Sequence, residues 1–147
     1  MLEFKPDWEK TKERYRAWWA GEVIDRCAAA AYAWKPEGPP PPPLPPKMED
    51  RWLDHDYLTA LNDYTLRHTF YGGEALPIWH PGYHGWNTIP VFLGSNVILK
   101  EDTAGVEPLI PEGSRADYDC STLAIDPSNE WWRRNMEMQR LTAPIRA

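Results

Sequence analysis

Cysteine is scarce: Cys27 and Cys120 are the only two in 147 residues, and they lie far apart. That spacing excludes a disulfide framework and a Cys-x-x-Cys metal knuckle, and makes a reducing compartment the default. Long apolar runs are also missing. The longest unbroken run of apolar residues is Cys27 to Trp34, against roughly 20 residues for a membrane span. The opening MLEFKPDWEKTKERYR is too charged for a secretory signal. A cytoplasmic protein with no membrane partner is expected. Basic charge is in deficit, with Lys+Arg 16 against Asp+Glu 22 and a net charge of -6. A nucleic-acid partner is not expected, because displacing counterions from phosphates needs a basic face. G-x-S-x-G, P-loop and G-x-G-x-x-G patterns are absent as well.

What is present is unusual. The chain has 9 tryptophans and 16 prolines, when proline averages roughly 5%. The length suits one domain of roughly 100–200 residues. It falls short of the roughly 250 residues of a complete eight-fold α/β barrel.

Residues 6–20 read as a helix, with Pro6 in the first turn and Gly21 as the stop. Trp8, Thr11, Tyr15, Trp18 and Trp19 recur at helical spacing, so this stripe is expected to pack on the body of the domain. Val23 to Trp34 reads as a buried strand, although the run of four alanines from Ala28 to Ala31 leaves a helix open. Lys35 to Lys47 (35–47) is a proline-rich insert, expected to run as extended polyproline II. Within it Pro42 to Lys47 satisfies P-x-x-P-x-K, which SH3-like grooves accept; a stiff surface spacer is the other reading.

Asp54 to Tyr71 reads as a second helix, N-capped by Asp54 and ended by Gly72-Gly73. His68 lies on its apolar stripe and is expected to be a hydrogen-bonded core histidine. Ala75 to Trp79 is a strand candidate, and Trp86 to Leu93 a short helix closed by Gly94. Asn96–Lys100 and Val106–Ile110 read as strands around a turn, and Asp126-Pro127 starts a last helix. From Glu101 to Asp126 seven acids face one base, Arg115, without the spacing of a calcium loop. The alternation of helices and strands points to an α/β or α+β architecture.

The loop His80-Pro81-Gly82-Tyr83-His84-Gly85-Trp86-Asn87 is the richest in chemistry. His80 and His84 are four apart, but Pro81 and Gly82 oppose the helix that would turn both imidazoles to one metal. No glutamate or further ligand lies close by, so no metal site is expected here. The loop offers imidazole, phenol and indole donors after a strand candidate, where α/β architectures carry function. A polar surface loop that packs its own aromatics is the other reading. Cys27 in an alanine run and Cys120 among acids are poor nucleophiles.

Several phrases together resemble the N-terminal portion of bacterial uroporphyrinogen decarboxylase-like proteins. They are RYRAWWAGEVIDR at Arg14–Arg26, RWLD…Y…HTFYGGEALPIW at Arg51–Trp79, FLG at Phe92–Gly94, EDTAGVEPLI at Glu101–Ile110 and IDPSNEWWRR at Ile125–Arg134. The resemblance implies an N-terminal extension plus the first strands and helices of a (β/α)8 TIM-type barrel, incomplete in this chain. The superfamily includes porphyrinogen decarboxylases and cobalamin-dependent methyltransferases. The R-Q-A-G-R substrate motif of the decarboxylases is absent, which disfavours porphyrinogen decarboxylation. The methyltransferases hold zinc through late histidine and cysteine ligands that this chain does not reach. The resemblance implies a small-molecule substrate, with zinc and a corrinoid protein serving the complete enzyme and none bound by this chain alone. It makes His80, Tyr83 and His84 pocket candidates, with Trp86 and Asn87 behind them. The remaining C-terminal part of the barrel is an expected partner, and no independent activity is expected.

Overall fold

Helices and antiparallel strands alternate along the chain in a computed structural model that describes residues 3–80, 88–110, 112–114 and 117–142. The elements are α1 (Trp8–Trp19), β1 (Ala30–Trp34), α2 (Met48–Leu53), α3 (His55–His68), β2 (Thr69–Gly73), α4 (Thr88–Phe92), β3 (Val97–Leu99), β4 (Ala104–Val106) and α5 (Glu130–Thr142). The strands form two antiparallel hairpin-like pairs, β1–β2 and β3–β4. The mixed α/β character expected from the sequence is present. A parallel strand series of the barrel type is not found among the described residues. The chain divides into two compact units, 1–43 with 60–79 and 44–59 with 80–147.

In the first unit, α1 ends as its composition dictates. Gly21 takes φ +74°, its N–H donates to the Trp18 carbonyl at 3.0 Å, and the Glu22 N–H donates to the Ala17 carbonyl at 2.8 Å. This paired arrangement satisfies the last carbonyls of a helix when glycine supplies the left-handed residue. The expected aromatic stripe does not pack as a whole. Thr11 and Ala17 are buried, whereas Trp18 and Trp19 are exposed. The face that α1 turns inward is polar: Thr11 and Tyr15 donate to the Gly73 and Glu74 carbonyls, and Arg14 reaches the Glu74 carboxylate.

The strand expected over Val23–Trp34 is only Ala30–Trp34, and all five of its residues are exposed rather than buried. It pairs with a strand that helical periodicity concealed. The second helix stops at His68, and Thr69–Gly73 continues as β2, with Tyr32 opposite Tyr71 and Trp34 opposite Thr69. Tyr64, His68 and Tyr71 keep helical spacing, which is why the expected helix runs on to Tyr71. Thr69, Phe70 and Tyr71 are residues that favour the extended backbone. Asp54 caps α3 as expected, its carboxylate accepting from the Tyr57 N–H at 2.7 Å. His68 is the core histidine expected. It is 8% exposed, its Nδ1 lies 2.8 Å from the Tyr64 carbonyl, and its ring stacks on Tyr64. The 35–47 insert carries neither helix nor strand before Lys47.

In the second unit, β3 lies inside the expected Asn96–Lys100, but β4 is Ala104–Val106, which meets the expected Val106–Ile110 only at Val106 and otherwise lies in the expected turn. The Lys100 N–H donates to the Thr103 carbonyl at 2.9 Å and closes the turn. Pro90 sits inside the five-residue α4, and Gly94 at φ +106° ends it. α5 starts at Glu130, and its cap is Asn129 rather than Asp126. The Asn129 side-chain oxygen accepts from the Trp131 and Trp132 N–H groups at 2.8 and 3.2 Å, and its amide donates to the Val91 carbonyl. Asp126 instead binds Ser128 one turn earlier. Leu58, Val91, Phe92 and Met138 are buried apolar residues here, with Phe92 edge-on to Trp132 at 5.1 Å.

Candidate functional site

The resemblance puts the pocket in the loop after Ala75–Trp79. Among its residues His80 is described and is exposed; Tyr83, His84, Trp86 and Asn87 lie outside the described residues. The Ala75–Trp79 segment is not a strand. Pro77 lacks the N–H that a ladder at its centre would need. The strand that leads towards this loop is β2, and it ends at Gly73.

The turn after β2 is the most elaborate polar site in the first unit. Gly73 adopts φ +59°, and a Cβ there would run into the Ala29 carbonyl oxygen. The next residue, Glu74, is 1% exposed. Its carboxylate accepts from Arg26 Nη1 and Nη2 at 2.7 and 2.8 Å, from Arg14 Nη1 at 3.1 Å, and from the Ala29 N–H at 2.8 Å. Arg14 also makes a two-point pair with Asp25, at 3.0 and 2.6 Å. Lys5 is fully buried, and its ammonium donates to the Tyr71 and Gly73 carbonyls at 3.2 and 2.5 Å while pairing with Asp7 at 2.9 Å. Thr11 and Tyr15 complete the set.

Burial pushes the Glu74 carboxyl up, but hydrogen bonds from Arg26, the Ala29 N–H and Arg14 outweigh it and hold the group at about 2. The Arg14 hydrogen bond, working against desolvation, likewise brings Asp25 to about 2. Arg14 itself is raised by the same two carboxylates, Asp25 first, against its own desolvation. A carboxylate so deep in its ionised range, with its donors already in place, is a structural anion and a poor general base. This cluster ties α1 and the segment from Asp25 to Ala29 to the turn after β2.

Sequence reasoning missed this cluster because the partners of Glu74, Arg14 and Arg26, lie 60 and 48 positions away. Two signals were available. Gly72-Gly73 marks a backbone that must come close to something, and an acid follows it in an otherwise apolar stretch from Ala75 to Trp79.

Other concavities are modest. Arg14, Trp18, Val23, Ile24, Arg26 and Cys27 help line a cleft of about 180 Å3 in the first unit. Its two arginines are already engaged by Asp25 and Glu74. In the second unit Leu53, His55, Arg134, Glu137, Met138 and Leu141 line a cleft of about 210 Å3. Arg134 there pairs with Glu130 and Glu49.

Among the described residues no three His, Cys, Asp or Glu side chains converge as a metal centre requires. The donor set described does not fit zinc. No helix among the described residues is long and apolar enough to cross a membrane. Comparison with known proteins gave no match: no family model, no curated protein and no solved structure matches the chain.

Proposed function

We propose that the chain is the N-terminal segment of a uroporphyrinogen decarboxylase-like barrel enzyme. The complete (β/α)8 enzyme would act on a small substrate in corrinoid-linked methyl transfer rather than porphyrinogen decarboxylation. This segment would contribute an N-terminal layer and the substrate-facing loop with His80, Tyr83, His84, Trp86 and Asn87. It would have no activity alone, because activating a methyl carbon on sulfur, oxygen or nitrogen needs a Lewis or general acid, which the rest of the barrel would supply.

The observation that carries this reading is the order of the phrases that resemble the family, which run from Arg14 to Arg134. A structural detail supports it: Arg14 and Arg26 of the opening phrase hold Glu74 of the YGGEAL phrase. Phrases far apart in sequence thus supply one scaffold, as parts of a common architecture would.

The test has two arms. The isolated chain, with and without zinc, is assayed for methyl transfer from small thioethers, methoxy compounds and methylamines to cobalamin. No turnover is expected, and robust turnover overturns the reading. The gene is then sequenced beyond the codon for Ala147. A continuing strand–helix series with late histidine and cysteine ligands supports the proposal.

A second reading is a proline-rich interaction module. It is favoured by one observation: Leu44 at the centre of the P-x-x-P-x-K pattern is 60% exposed. Titration of the chain with an SH3 domain discriminates. Binding that vanishes when Gly38 to Pro46 is deleted supports this reading, and absent binding removes it.

A further inference from the structure

The β1–β2 sheet has two edges, and the chain treats them differently. The ladder is fixed at both ends: the Lys35 N–H donates to the His68 carbonyl at 2.8 Å, and the Glu74 N–H to the Ala29 carbonyl at 2.9 Å. In an antiparallel pair the bonded and non-bonded positions alternate. Ala29, Ala31, Ala33 and Lys35 therefore turn their N–H and C=O groups towards β2. Ala30, Tyr32 and Trp34 turn theirs away, to the outer edge of β1.

The far edge, on β2, is covered at two of its carbonyls. Its outward carbonyls at Tyr71 and Gly73 are taken by the buried Lys5 ammonium and the Thr11 hydroxyl. The β1 edge has no such cover. All five residues of β1 are exposed, and Ala30, Tyr32 and Trp34 have no hydrogen-bond partner for these backbone groups among the described residues. The strand also lacks the devices that keep an edge single, since Ala30–Trp34 contains no proline, no charge and no bulge.

We propose that this edge pairs with the same edge of a second copy, antiparallel about a two-fold axis through Tyr32. The sequence Ala-Ala-Tyr-Ala-Trp suits that register. Tyr32 lies opposite its own copy, and each Trp34 lies opposite an Ala30, a bulky ring against a methyl group. All three outward residues of each strand are satisfied, giving about six inter-chain hydrogen bonds. Tyr32 and Trp34, 59% and 65% exposed, share one face of the strand and gain cover from the partner's strand. Assembly stops at a four-stranded sheet, because Lys5 and Thr11 occupy two carbonyls of each outer edge. A closed, isologous dimer results rather than a fibre. Second copies are favoured over an unrelated strand because large and small residues match in this self-paired register. The covered area is small, and an interface below about 1,200 Å2 belongs to the weak, reversible class.

The experiment is sedimentation velocity on the full chain up to about 500 µM, well into the range that weak interfaces require. The mass is expected to rise with concentration from 17.1 kDa towards twice that value. Tyr32→Pro removes an outward N–H and leaves the inner ladder intact, so it is expected to stay monomeric with an unchanged circular dichroism spectrum. Should that variant misfold, Tyr32→Lys makes the same test by charge. In a Cys27→Ser/Cys120→Ser background, Tyr32→Cys should form an inter-chain disulfide on mild oxidation, since directly opposed bonded residues lie about 5.5 Å apart at Cα. A monomer throughout the range overturns the proposal. So does a dimer that survives both the proline and the lysine substitution, or a dimer in which the Tyr32→Cys variant does not cross-link.

Discussion

Glu74→Gln removes one charge and almost no volume from the centre of the first unit, which makes it a sharp probe of what holds that unit together. Four donors aim at the carboxylate: two from Arg26, one from Arg14 and the Ala29 N–H. A glutamine keeps one acceptor oxygen and turns an NH2 group towards the remaining donors. Breaking a buried ion pair on one side costs about 3–5 kcal/mol. The Arg14 side chain is 10% exposed and feels that cost, but Arg26 is 39% exposed and solvent screens its share. The expected loss is therefore about 2–3 kcal/mol, a fall in Tm of roughly 5–10 °C for a chain of this size. Urea unfolding followed by tryptophan fluorescence and circular dichroism measures it. Glu49→Gln is the control: its partner Arg134 is 3.4 Å away at an exposed site, and the loss there should stay below about 0.5 kcal/mol. Equal small losses for both variants would refute the argument that this buried cluster carries the unit.

The same carboxylate sets an acid dependence. Glu74 is held at about 2, below its ordinary 4.5, so its contribution is full above pH 4.5 and is lost as pH falls from there through about 2. The slope of stability over that window should shrink in Glu74→Gln, and an unchanged slope would count against it. Gly73→Ala forces a side chain into φ +59° and against the Ala29 carbonyl oxygen; a loss of about 2–3 kcal/mol is expected by denaturant titration. Asn129→Ala removes the acceptor for two N–H groups at the start of α5. It should cost about 1 kcal/mol, read as lower helicity and Tm, whereas Asp126→Ala should leave α5 intact.

Local signals were legible wherever one short stretch decides its own structure. Gly21 and Gly94 stop helices because only glycine enters the left-handed region cheaply, and both do so at positive φ. Asp54 caps α3, and a strand pair forms between Asn96 and Ile110 as expected, although β4 begins two residues before the expected Val106, because side-chain chemistry acts within a few residues. Misreadings arose where two local patterns compete. Thr69 to Tyr71 fits both a helix stripe and a strand, and the partner strand β1 decides between them. Asp126 and Asn129 are both good caps, and the Val91 carbonyl, which engages the Asn129 amide, favours the second.

By itself the sequence determined three of the helices, several of their stops and the acidic, cysteine-poor character of the chain, because these depend on backbone sterics and side-chain charge at neighbouring positions. Tertiary structure alone decided that Lys5, Arg14, Arg26 and Glu74 meet, that one sheet edge is covered at two of its carbonyls, and that the other stays open. The contacts of this cluster join residues up to 68 positions apart, Lys5 to the Gly73 carbonyl, and a buried charge is tolerable only when folding delivers its partners at hydrogen-bond distance. No local pattern encodes that meeting.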